Sequence, residues 1–136
     1  MHSDGLTRDY LRRAKARLAA LRVLMDQESR ADVVRESQEI VQITLKALLR
    51  ANRIEVPGIH DVSPILEQNR SRFGKDIGES LDELMKISRS LRRDRELAFC
   101  GSEDLTPSEF YKGEDAEAAH AQARFVYDTV ERSFAG

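Results

Sequence analysis

The sequence predicts an all-α fold, an up-and-down bundle of four long helices and one short helix. Three observations predict it. Apolar residues recur at three- and four-residue steps through four long stretches, the signature of one face of a helix. The seven glycines and three prolines fall mainly between those stretches. No run of four or more residues shows strand alternation bounded by turns. A chain of 136 residues suits one compact domain, so a single helical domain over 1–136 is expected.

The first helix is read from Leu6, Tyr10, Ala14, Leu18, Leu21 and Met25, which draw one apolar stripe. Six basic residues (Arg8, Arg12, Arg13, Lys15, Arg17 and Arg22) stand against Asp9 on the other faces, which makes this helix strongly basic. After the polar break Gln27-Glu28-Ser29, a second helix is expected from Ala31 to Arg53. Its stripe is Val34, Ser37, Val41, Thr44 or Leu45, and Leu48, widened by Val33, Ile40 and Leu49, and Pro57-Gly58 ends it.

The short helix begins near His60-Asp61-Val62-Ser63-Pro64, where Asp61 or Ser63 can cap and Pro64 suits the first turn. A third long helix follows Gly74, with Ile77, Leu81, Leu84, Ser88, Leu91, Arg95 and Ala98 on its stripe and an end near Phe99-Cys100-Gly101. The acidic segment from Ser102 to Gly113 holds one turn starting at Thr106-Pro107-Ser108-Glu109, with capping-box spacing between Thr106 and Glu109. The last helix spans Glu114 to Phe134, with Ala116, Ala119, Ala123, Val126, Val130 and Phe134 facing inward. Its alanine-rich first half permits close approach of a neighbour.

Composition narrows the function. The formal net charge is −2, so no wholesale attraction to nucleic acid or membrane is expected. Apolar runs stop at three or four residues and the opening Met-His-Ser-Asp-Gly has no secretory pattern, so a cytoplasmic location is expected. Cys100 is the only cysteine, which excludes an internal disulfide and a cysteine-rich zinc site. His2, His60 and His120 have no metal-ligand spacing, and no cofactor or metal is expected. Phosphate-loop, dinucleotide-fold and nucleophile-elbow motifs are all missing. Cys100 follows a helix C-terminus, whose negative end disfavours a thiolate nucleophile.

Arg95 breaks the pattern, because it falls on an apolar row between Leu91 and Ala98. Arg92 flanks the same row, and Lys86 to Arg95 holds five bases and one acid. A guanidinium stays charged and presents a planar fork suited to carboxylate or phosphate. Two readings stand side by side. Arg95 either pairs with a carboxylate on a facing helix, such as Glu36 or Glu39, or lines a groove that takes phosphate.

Several stretches, in order, resemble the HEPN family of small helical domains. They are Asp9-Tyr10-Leu11-Arg12-Arg13-Ala14-Lys15, then Arg35-Glu36-Ser37-Gln38-Glu39 with Leu45-Lys46-Ala47-Leu48-Leu49-Arg50. Val56-Pro57-Gly58-Ile59-His60-Asp61-Val62 follows, and then Arg92-Arg93-Asp94-Arg95-Glu96-Leu97-Ala98-Phe99-Cys100-Gly101 before Glu114-Asp115-Ala116.

The resemblance implies a bundle that forms a homodimer. In one branch of the family an arginine and a following histidine, with four to six residues between them, promote metal-independent RNA cleavage at a dimer cleft. Arg95 matches that arginine, but Cys100, Gly101 and Ser102 stand where the histidine belongs. Starting from Arg92 or Arg93 also finds none. The other branch fits better: a helical partner of a separate nucleotidyltransferase, binding a nucleotide or RNA phosphate in a toxin–antitoxin-like pair. Arg95, Arg92 and Lys46 are the expected phosphate contacts. The alternatives are a divergent ribonuclease, with His120 or His60 supplying proton transfer, and a purely structural interaction module.

Overall fold

Helix α1 (Gly5–Asp26) starts where the Asp4 carboxylate accepts the Thr7 amide at 2.8 Å, satisfying one of the free donors of the first turn. The computed structural model describes the backbone of residues 4–56, 58, 61–100 and 107–135, and the side chains of 4–56, 58, 61–90 and 109–134. With α1 go α2 (Arg30–Ala51), α3 (Ser63–Gln68), a 3-10 turn (Arg70–Arg72), α4 (Lys75–Cys100), α5 (Pro107–Phe110) and α6 (Gly113–Ala135). Among the described residues there is no strand. The fold is all-α, a bundle of four long helices with short ones between them.

In α1 the core row is Thr7, Ala14, Leu18 and Leu21, and Leu6 is 43% exposed. This corrects the stripe expected from Leu6. Seven residues turn a helix through roughly 700°, nearly two full turns, so Thr7 lies under Ala14 while Leu6 is carried round to the side.

Both α1 and α2 end on a left-handed residue that is not glycine. Glu28 has φ 55°, and the amides of Glu28 and Ser29 donate to the carbonyls of Met25 and Leu24, each at 3.0 Å. Arg53 has φ 57°, and the amides of Arg53 and Ile54 donate to Arg50 and Leu49, again at 3.0 Å. These are two Schellman closures. The second closes α2 at Ala51, ahead of the expected stop at Pro57-Gly58, and tucks Ile54 into the core.

Helix α2 is the centre of the molecule. Thirteen of its 22 residues are buried, including Leu45, Leu48 and Leu49, and it packs most extensively on α1 and α6. Full burial of a leucine contributes about 1.5–3 kcal/mol, so this one helix anchors much of the apolar free energy. The antiparallel seam with α1 is tied near the middle of α1 by Arg17–Glu36 at 2.6 Å and at one end by Arg50–Asp4 at 3.3 Å. Gly113 lies beside the Arg30 guanidinium, so α6 starts next to the start of α2.

Pro64 sits in the first turn of α3, as expected. On α4, Ile77, Leu81, Leu84 and Ser88 are buried as expected, and the helix ends at Cys100. The side chains of Leu91, Arg95 and Ala98, and the Thr106 cap, lie outside the described residues. At the start of α6, Asp115 accepts the Lys112 amide at 2.7 Å, the return half of a capping box. Ala116, Ala123, Val126 and Val130 then complete a single core with α1, α2, α3 and α4.

Candidate phosphate-binding face

With α1 and α6 covering most of α2, one stripe of that helix still faces outward. It runs Arg35, Glu39, Gln42, Lys46 and Arg50 at three- and four-residue steps, every member exposed or half-buried. Three cations stand on it with Glu39, and the exposed Asp32 lies on the same side. Lys46 is half-buried in the middle. No carboxylate among the described residues lies within 4 Å of its nitrogen, whereas Arg50 is held by Asp4.

The ion pairs around this face decide which charges are engaged. The Thr7 amide, with the Arg50 guanidinium, holds the Asp4 carboxyl down to about 2. Glu36, one of the two carboxylates expected as a partner for Arg95, accepts from Arg17 at 2.6 Å in a partly buried pair. Arg92 and Arg95 stand on the last three turns of α4, and their side chains lie outside the described residues. Of the three expected phosphate contacts, Lys46 is therefore the one whose surroundings are defined.

A second polar feature tethers the loop before α3. The Ser88 hydroxyl of α4 is buried; it donates to Asp61 Oδ1 at 3.0 Å and accepts the Val62 amide at 3.0 Å. Asp61 Oδ1 also takes the Ser63 amide at 2.9 Å, an Asx turn one residue ahead of Val62, which holds the N-cap position in place of the expected Asp61 or Ser63. Partial burial works to raise the Asp61 carboxyl, but the hydrogen bonds from Ser63 and Ser88 and the nearby Arg89 charge prevail and leave it lowered. Sequence reading placed Ser88 on the apolar row without a task; a serine among leucines facing an Asx cap was the available signal.

His120 is half-buried on α6, and His60 lies outside the described residues. Among the described residues no group of three or more His, Cys, Asp or Glu side chains could hold a metal ion, and no helix is long and apolar enough to cross a membrane.

The molecule is a small all-α bundle whose central helix carries Arg35, Lys46 and Arg50 along its open side, together with Asp32 and Glu39. Comparison with known families makes this specific. The family model of the HEPN domain matches residues 7–133, nearly the whole chain, and the protein belongs to the HEPN family. No curated protein and no solved structure matches it.

Proposed function

We propose that this HEPN domain binds a nucleotide or an RNA phosphate without cleaving it, as a homodimer and as the helical partner of a separate nucleotidyltransferase in a toxin–antitoxin-like pair. The observation that carries the reading is Lys46, a half-buried cation with no carboxylate partner among the described residues, at the middle of the one open stripe of α2. Arg95 and Arg92 on α4 supply the remaining positive charge, with guanidinium forks suited to phosphate oxygens.

The absence of cleavage follows from chemistry. An arginine can stabilise charge on a pentavalent phosphate, but attack by a ribose hydroxyl needs a group that takes and returns a proton. No histidine follows Arg92, Arg93 or Arg95 at the spacing that supplies one.

Isothermal titration with mononucleotides and a short RNA, using wild type, Lys46→Gln and Arg95→Gln, tests the reading. Wild type is expected to bind, and each variant to bind at least tenfold more weakly, the loss of one charge-assisted contact of about 1.5–3 kcal/mol. Binding unchanged by both substitutions, or no binding by wild type, rejects it. RNA cleavage in excess EDTA that disappears with Arg95→Gln would instead establish the ribonuclease.

A further inference from the structure

We infer that the outer flank of α1 is a second anion-binding surface, one that grips the backbone of an extended nucleic-acid strand through its phosphates. It stands apart from the Lys46 stripe and does not depend on that stripe binding anything.

The observation is geometric. At about 100° per residue, Arg8, Arg12, Lys15 and Arg22 fall within about 80° of the helix circumference. All four are exposed, and Ala19 occupies the one vacant place in the row. From Arg8 to Arg22 the row runs for about 21 Å along the axis, the length of several nucleotides rather than of one phosphate. Arg8, Lys15 and Arg22 have no carboxylate within 4 Å among the described residues; Arg12 is held by Asp9 at 2.8 Å in a pair that is exposed and open to exchange. The core-facing row of α1 is already packed, so the cations are not the polar side of a helix waiting to lie down elsewhere.

Chemistry selects the occupant. Besides the cations the flank presents Ala19, with Val23, 61% exposed, at its edge and the exposed Asp26 at its C-terminal end, and one valine does not make the apolar centre that a protein contact needs. A membrane would need an apolar face to insert, and the apolar face of α1 is spent in the core. Three of the four cations are arginines, whose forks match phosphate oxygens in pairs. The small side chain at Ala19 leaves room for a sugar–phosphate backbone to lie close against the helix. With a net charge of −2 the molecule as a whole does not draw polyanions in, so attraction comes from this local row. Contacts of this kind position a strand and read no sequence.

Salt dependence distinguishes this from a single-phosphate contact. Four cations on a single strand predict a slope of log affinity against log salt of about −3, or a loss of about fiftyfold between 50 and 200 mM salt. The experiment is fluorescence anisotropy with a labelled 20-nucleotide polyuridine across that salt range. The triple variant Arg8→Gln/Lys15→Gln/Arg22→Gln is expected to show a slope of about −1 and only about a threefold loss over the same range. Ala19→Lys, which fills the vacant place on an exposed helical position, is expected to steepen the wild-type slope by about 0.7. A control of equal charge, Lys75→Gln/Lys112→Gln/Arg124→Gln, is expected to keep the wild-type slope.

Equal slopes for the wild type and the α1 triple variant overturn the inference, as does an equal fall in the control. Displacement of polyuridine by polyglutamate at equal charge also overturns it, since the surface would then be a general acidic-protein contact, and tighter binding to phosphatidylserine vesicles would assign the row to a membrane. Loss of mononucleotide binding in Lys46→Gln with an unchanged polyuridine slope separates the two surfaces, supporting this one whatever the outcome at Lys46.

Discussion

Two groups of buried polar side chains are handled in opposite ways. At the α3–α4 junction, Ser88, Asp61, Ser63 and the Val62 amide form a closed set in which the Ser88 hydroxyl both donates and accepts. Along the α1–α2–α6 centre, Thr7, Ser37, Gln38, Thr44 and Thr129 each bury a polar atom with no hydrogen-bond partner among the described residues. Burial is equally deep in both regions, with Ser88 and Ser37 each 1% exposed. The difference lies in what the polar atom does. At the junction it holds an irregular segment whose amides have no helical partner, and at the centre it sits on regular helices that already satisfy their own backbones.

Ser88→Ala cuts the first group and carries the largest expected effect. It strands the buried Val62 amide and removes a donor from Asp61, so stability is expected to fall by about 1–3 kcal/mol, read from urea unfolding. A loss below a few tenths would mean that the junction is held by packing alone, and the contrast between regions would collapse.

Thr44→Val tests the second group. The side chain keeps its shape and loses a hydroxyl that makes no hydrogen bond, so stability is expected to rise by about 1 kcal/mol in the same assay. A fall of that size would show that Thr44 has a bonding role that the static fold hides, and the two regions would then be alike.

The smallest effect concerns acid. The Asp61 carboxyl is lowered in the folded state, so its contribution is present above the ordinary carboxylate value of 3.8 and is lost as pH falls through its folded value. Stability measured from pH 5 downward is therefore expected to drop below about pH 4, and less so in Ser88→Ala, where part of the lowering is already gone. Parallel curves for the two proteins would detach Asp61 from Ser88.

These residues also show what the sequence made legible. Helix existence and order could be read because glycine and proline punctuate strong periodic stretches: Pro64 and Pro107 open α3 and α5, and Gly74 precedes α4. The end of α1 was legible in the polar break Gln27-Glu28-Ser29, but the end of α2 at Ala51 was not, because Arg53 adopts a backbone shape that glycine normally announces. Leu6 looked like a core residue on hydropathy alone, and the Asp4 cap sets the phase that puts Thr7 there instead. The burial of α2 on several sides was hidden as well, since an amphipathic pattern widened by Val33, Ile40 and Leu49 does not say how many neighbours share it. Of the candidate site, the cation types were legible and their grouping was not. Arg35, Lys46 and Arg50 become one stripe only when the other faces of α2 are known to be covered.

The central place of α2 has a consequence for motion. Its amides are hydrogen-bonded within the helix and shielded by α1 on one side and α6 on another. No partial opening that releases only one of those neighbours lays the helix bare. Solvent deuterium therefore reaches the middle of α2 only when the whole molecule comes apart, and the slowest-exchanging amides there report its global stability.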